Sequence, residues 1–143
     1  MKVTVAETAG FCFGVDRAVN LVYRMVESGR RVCTLGPIIH NPQVIEDLEN
    51  KGVKIIDSPD EVPEGYEVVI RAHGVSVDVI NSLRADSVNY TDATCPYVLK
   101  IHNLIKKHSN ETNTVLIAGD ENHPEVLRQP QVFLHQSKLK DRA

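Results

Sequence analysis

The chain predicts an α/β fold with a mainly parallel sheet and flanking helices, and three observations carry that prediction. Short apolar runs rich in β-branched residues recur along the chain. Amphipathic stretches with helical spacing separate them. The reactive side chains fall where such a run ends and a helical pattern begins. Alternating strand and helix patterns imply crossover connections, and crossovers join parallel strands.

Each element has its own local reason. "KVTVA" (2–6) reads as a first strand. Val15, Ala18, Val19, Val22, Met25 and Val26 then follow helical spacing, with Gly29 placed to end the helix. "RVCTL" (31–35) is the next strand. "NPQVIEDLENKG" (41–52) carries both helix signals, with Asn41 as N-cap, Pro42 at the first helical position and Gly52 past the end. "VKIID" (53–57) is a strand, and "SPDEVPEG" (58–65) is a polar, Pro/Gly-punctuated loop. "EVVIRA" (67–72) is a strand, "SVDVINSLRAD" (76–86) a helix capped by Ser76, and "SVNYTD" (87–92) a short strand. "PYVLKIHNLIKKHS" (96–109) is a helix led by Pro96, and "TVLIAG" (114–119) a further strand. The stretch after "HPEV" has no clear period and a basic, polar finish.

Composition excludes several function classes. The 143 residues carry 16 Lys and Arg against 19 Asp and Glu, a net charge of -3, with no Trp. A nucleic-acid module would show a basic stripe or stacking aromatics. No apolar run approaches the ~20 residues that a membrane helix needs. The N-terminus lacks the apolar core of a signal peptide, so a cytoplasmic location is expected. Three widely spaced cysteines, Cys12, Cys33 and Cys95, do not form a disulfide framework, and cytoplasmic thiols stay reduced.

Five side chains share one kind of position. Cys12, His40, His73, Cys95 and His123 each follow a strand pattern and precede a helical one. In open α/β sheets ligands bind outside the carboxyl ends of the strands. Helix N-termini there offer unpaired N–H groups and partial positive charge. Glycines beside these residues (Gly10, Gly14, Gly36, Gly74 and Gly119) let the backbone approach a ligand closely. Cys and His together favour zinc, iron or an iron–sulfur centre, and a histidine can equally hold a phosphate. Cys33, inside an apolar strand, reads as a small buried hydrophobe. His102 and His108, on a Lys-containing helix, are expected to be solvated, and His135 lies in the irregular tail. Glu125 reads either as an acidic residue in a first helical turn or as a proton donor beside a bound substrate.

The motifs "GFCFGVDRAV", "GPIIHNPQV", "RAHGVS", "DATCPYVLKIH" and "HPEV", in that order, resemble the LytB/IspH family, the 4-hydroxy-3-methylbut-2-enyl diphosphate reductases. The resemblance runs from about residue 3 to residue 126. It implies a pseudo-threefold arrangement of three α/β domains around a [4Fe–4S] cluster held by three cysteines, with one iron left open. By the same resemblance, Cys12 and Cys95 match the first two cluster ligands. His40, His73 and His123 match the histidines that hold the diphosphate and hydroxyl of the substrate, and Glu125 the proton-delivering glutamate.

The implied reaction is a reductive dehydroxylation of the allylic diphosphate, with electrons from ferredoxin or flavodoxin. It gives isopentenyl and dimethylallyl diphosphate, the terminal step of non-mevalonate isoprenoid synthesis. The third cysteine ligand of the family is absent from this chain. The expectation is therefore a first α/β domain at 1–95 and an incomplete second at 96–143, irregular from about 127, not active alone. The truncated face is a candidate for self-association. Two rival readings stand beside this one. The first is a zinc site built from Cys12, Cys95 and two histidines. The second is a non-catalytic remnant or subunit that pairs with another chain.

Overall fold

Two strands, β1 (Val32–Leu35) and β3 (Glu67–Ile70), form the centre of a four-stranded parallel sheet, flanked by β2 (Lys54–Ile56) and β4 (Tyr90–Asp92) in the order β2-β1-β3-β4. The computed structural model describes residues 2–7, 9–109, 112–113 and 115–117. Four helices accompany the sheet: α1 (Phe13–Glu27), α2 (Pro42–Asn50), α3 (Val77–Ala85) and α4 (Pro96–His108). A short 3-10 turn at Pro59–Glu61 interrupts the predicted loop between β2 and β3.

Side-chain alternation along the strands sorts the core into two layers. Val32 and Val69 face α1 and α2, packing with Ala18, Val19, Val22, Met25 and Leu48. Cys33, Leu35, Val68 and Ile70 face the opposite way, with Leu83 of α3 and Ile56. Both central strands are buried on both faces, which explains their unbroken apolar runs. The helices stop and start where their sequences say. The Asn41 side chain accepts from the Val44 N–H at 3.1 Å, and that of Ser76 from the Val79 N–H at 3.4 Å. Gly29, at φ +79°, follows α1 in the left-handed region that ends helices. Tyr23 on α1 donates to Asp47 on α2 at 2.7 Å, tying the two helices on that face.

Among the described residues, two of the predicted strand stretches do not join the sheet. Residues 2–6 carry no strand pairing, and Val3 and Val5 stand exposed. Their alternating pattern is a strand pattern, but a strand needs a neighbour to satisfy its backbone groups, and none of the described strands pairs with it. Residues 115–117 of the predicted strand at 114–119 are likewise outside the sheet, with Leu116 exposed. The tail from about 127, with His135, lies outside the described residues. None of the described helices is long and apolar enough to cross a membrane.

The packing generates a direct test. Leu83 is fully buried in the α3-facing core. Leu83→Ala is expected to lower the unfolding free energy by about 2–5 kcal/mol, read from the urea midpoint at constant slope. Ile101→Ala, on the exposed surface of α4, should stay within about 0.5 kcal/mol of the parent.

Candidate functional site

The topology decides where a ligand can enter. From β1 the chain crosses through α2 to β2, on one side. It then passes over to β3 and crosses through α3 to β4, on the other. Right-handed crossovers moving in opposite directions place their helices on opposite faces, as the two core layers show for α2 and α3. The loops leaving β1 and β3 therefore peel apart, and a crevice opens between the carboxyl ends of these two adjacent strands.

Both loops are built to hold a histidine at that crevice. After β1, Gly36 turns at φ +67° and its N–H donates to the Ile56 carbonyl at 2.8 Å. Buried Ile38 and Ile39 anchor the loop, leaving His40 exposed directly before the cap of α2. After β3, the Gly74 N–H donates to the Arg71 carbonyl at 2.9 Å, closing a four-residue turn that presents His73, half-buried, at its third position. The imidazole centroids of His40 and His73 lie 5.9 Å apart, tilted by 32°. They are 33 positions apart in sequence, and the sheet brings them together.

The thiols arrive by a different route. Cys95 is the N-cap residue of α4 and Cys12 that of α1, and neither side chain makes a capping hydrogen bond. The Cys95 N–H donates to the Ala72 carbonyl at 2.9 Å, fastening it to the His73 turn. Asp92 fixes the approach, accepting from the Thr94 N–H at 2.9 Å and from the Thr94 hydroxyl. On the far side Cys95 packs against Gly14, where an added Cβ would lie 2.4 Å from Sγ and 2.9 Å from the Cys95 Cβ. Phe13 and Tyr97 meet edge to face at 6.4 Å, so α1 and α4 begin side by side. Exposed Cys12 and half-buried Cys95 thus sit on neighbouring helix N-termini. One series of contacts runs from Gly14 through Cys95 and Ala72 to His73 and His40.

Other residues sort themselves against this arrangement. Cys33 is fully buried in the α3-facing core, and burial pushes its thiol up to about 11. His102 departs from the solvated position expected of it: both ring nitrogens are shielded from solvent. His108 is exposed, as expected. His123 and Glu125 lie outside the described residues. Among the described residues, no group of three or more His, Cys, Asp and Glu is placed to hold a metal ion. Among the described residues, Cys12, Cys95, His40 and His73 are therefore not grouped as the tetrahedral zinc site considered above would require. A groove of about 640 Å³ opens near Arg30, Glu64 and Asn89, beside the amino ends of β3 and β4, and no thiol or imidazole lines it. Sequence reasoning passed over Arg71, whose guanidinium lies against Gly36 and whose Nε donates to the Gly74 carbonyl at 3.4 Å. A charged residue ending a buried strand beside a histidine and a glycine was the available signal.

Comparison with known proteins follows the same boundaries. The LytB protein family matches residues 3–129. A 4-hydroxy-3-methylbut-2-enyl diphosphate reductase of Thermoanaerobacter sp. (strain X514) is 45% identical over 131 residues, covering 89% of this chain and 46% of the relative. That of Syntrophotalea carbinolica is 41% identical over 126 residues, covering 88% and 45%. A solved (E)-4-hydroxy-3-methyl-but-2-enyl diphosphate reductase superposes with a TM-score of 0.76 at 43% identity, over 89% of this chain and 45% of that one. The Plasmodium falciparum E-1-hydroxy-2-methyl-but-2-enyl-4-diphosphate reductase gives 0.78 at 30% identity, over 86% and 39%. The chain spans less than half the length of these relatives.

The three thiols should separate cleanly by reactivity. Alkylation with iodoacetamide at pH 8, followed by peptide mass spectrometry, is expected to label Cys12 first, then Cys95, with Cys33 protected in the folded chain. With its thiol pushed up to about 11, only about one Cys33 in a thousand is thiolate at that pH. Gly14→Ala is expected to destabilise the fold by about 1–3 kcal/mol despite alanine's better helix propensity, since the Cys95 Cβ cannot move without its backbone.

Proposed function

This chain belongs to the LytB protein family, and on that premise we propose that it carries part of the active site of a 4-hydroxy-3-methylbut-2-enyl diphosphate reductase. The observation that carries the reading is the continuous surface joining Cys12 and Cys95, on paired helix N-termini, to His40 and His73 at the switch point of the sheet.

The donor chemistry suits an iron–sulfur group. Cys12 and Cys95 keep their sulfurs free of capping hydrogen bonds, and Gly14 leaves the space that Cys95 occupies. In this reading they are two ligands of a [4Fe–4S] cluster. When bound, that cluster supplies the electrons and a Lewis-acidic iron for the reductive loss of the allylic hydroxyl. Cys33 does not complete the set, because it faces the buried core. The third thiolate comes from outside this chain's own cysteines, and the chain by itself lacks turnover.

The remaining residues bind and orient. His40 and His73 present imidazole N–H groups to the diphosphate and hydroxyl of the substrate. The N-terminus of α2 directly follows His40, and that of α3 opens at Ser76, three residues beyond His73. Their unpaired N–H groups add positive potential for an anion. His123 completes the substrate contacts and Glu125 delivers the proton. Ferredoxin or flavodoxin supplies electrons, and the protein works in the cytoplasm. Residues 1–95 form the first α/β domain and 96–143 begin a second.

Anaerobic reconstitution with iron, sulfide and a small thiol tests the assignment on this chain. Visible absorbance and bound iron should appear in the parent and in Cys33→Ser, and should be lost in Cys12→Ser and Cys95→Ser. A parent that binds no more iron than the Cys12→Ser, Cys95→Ser double variant would sink the cluster reading. Separately, His40→Ala and His73→Ala should each weaken pyrophosphate binding at least about tenfold by calorimetry, the loss expected for one hydrogen bond to a charged group.

A further inference from the structure

Arg71 occupies a place that neither the histidines nor the thiols explain. It is the first residue beyond β3 and opens the turn that presents His73. Its backbone carbonyl accepts from the Gly74 N–H at 2.9 Å, and its own Nε donates to the Gly74 carbonyl at 3.4 Å. The turn is thus closed twice by the same two residues, once through the backbone and once through the side chain. Gly74 sits at φ +81°, in the left-handed region that favours glycine.

The other end of the guanidinium reaches the neighbouring loop. A Cβ built on Gly36 would lie 2.8 Å from Arg71 Nη1 and 3.5 Å from Cζ, so the guanidinium rests directly against the Gly36 backbone. Gly36 itself turns at φ +67° and starts the loop that ends in His40. Half-buried Arg71 has no carboxylate partner among the described residues. The planar guanidinium touches two backbones at once, Nε at the Gly74 carbonyl and Nη1 at Gly36, which a lysine ammonium cannot do.

We infer that Arg71 is a positioning residue that fixes the spacing of His40 and His73 by clamping the Gly36 and Gly74 turns together across the mouth of the crevice. The clamp acts where the loops diverge to opposite faces and share no backbone hydrogen bond to each other among those of the two turns. Its consequence for anion binding rests on the reading of the two histidines as diphosphate contacts; the clamp itself does not.

The experiment compares the parent chain with Arg71→Ala and Arg71→Lys by NMR, with the histidine side chains labelled. The parent should show a cross-relaxation contact between the two imidazole rings. Both variants should lose it and shift the His40 and His73 ring signals, while the amides of β1 and β3 keep their hydrogen-exchange protection. Lysine should fail with alanine, since it retains the charge and lacks the fork. Retention of the ring contact in Arg71→Ala, or its full restoration in Arg71→Lys, would overturn the clamp, as would its absence from the parent. Pyrophosphate is then titrated into all three. A clamp that preorganises the pair predicts about tenfold weaker binding in both variants. A parent whose histidine signals ignore pyrophosphate removes the diphosphate reading and leaves the ring contact to decide the role of Arg71.

Discussion

The parallel pairing of β1 with β3, in register from Val32 opposite Glu67 to Leu35 opposite Ile70, is the constraint on which the rest depends. Parallel neighbours end at the same edge of a sheet, about 4.8 Å apart. The chain leaves β1 toward α2 and leaves β3 toward α3, whose core residues lie on opposite faces of the sheet. His40 and His73, one loop further out, bring their ring centroids to 5.9 Å. The apolar anchors Ile38, Ile39 and Ala72 hold both loops to the core layer that faces α1 and α2, and a loop pinned into close-packed core has little freedom to drift.

The helix N-termini are capped in two different ways. Asn41 and Ser76 cap α2 and α3 with side-chain hydrogen bonds, the ordinary solution to unpaired N–H groups. At α1 and α4 the same position holds a cysteine that makes no such bond. A cap of Ser, Thr, Asn or Asp contributes about 1 kcal/mol, so each thiol forgoes roughly that much. Gly14 adds to the same account: it weakens the first turn of α1 yet gives Cys95 its place. Local rules broken together on one surface are the expected mark of a functional site.

The two helices bearing the thiols also differ in how they are held. α1 buries Ala18, Val19, Val22 and Met25 against the sheet. α4 buries no residue, and Tyr97, Ile101 and Leu104, spaced as one helical stripe, stand exposed. Cys95 is therefore fixed from its N-terminal side, by Asp92, Thr94, Ala72 and Gly14, rather than by the helix that follows it.

Periodicity, caps and punctuation in the sequence determined the four strands of the sheet, the four helices and the parallel α/β class, because each of these is set by local spacing and by burial on one or two faces. The position of Cys33 in mid-strand was enough to remove it from the site. Local pattern misled at residues 2–6, where a strand's alternation is present and none of the described strands pairs with it, since pairing is a tertiary property. The likeness of the motifs to LytB proteins singled out the thiols and imidazoles as candidates one by one. Only the tertiary structure decided that they form separate but contiguous groups, with His40 and His73 paired across the switch point and Cys95 seated on Gly14. The role of Arg71 was invisible for the same reason: its partners, Gly36 and Gly74, come from two loops that are distant in sequence and meet only because β1 and β3 are neighbours in one sheet.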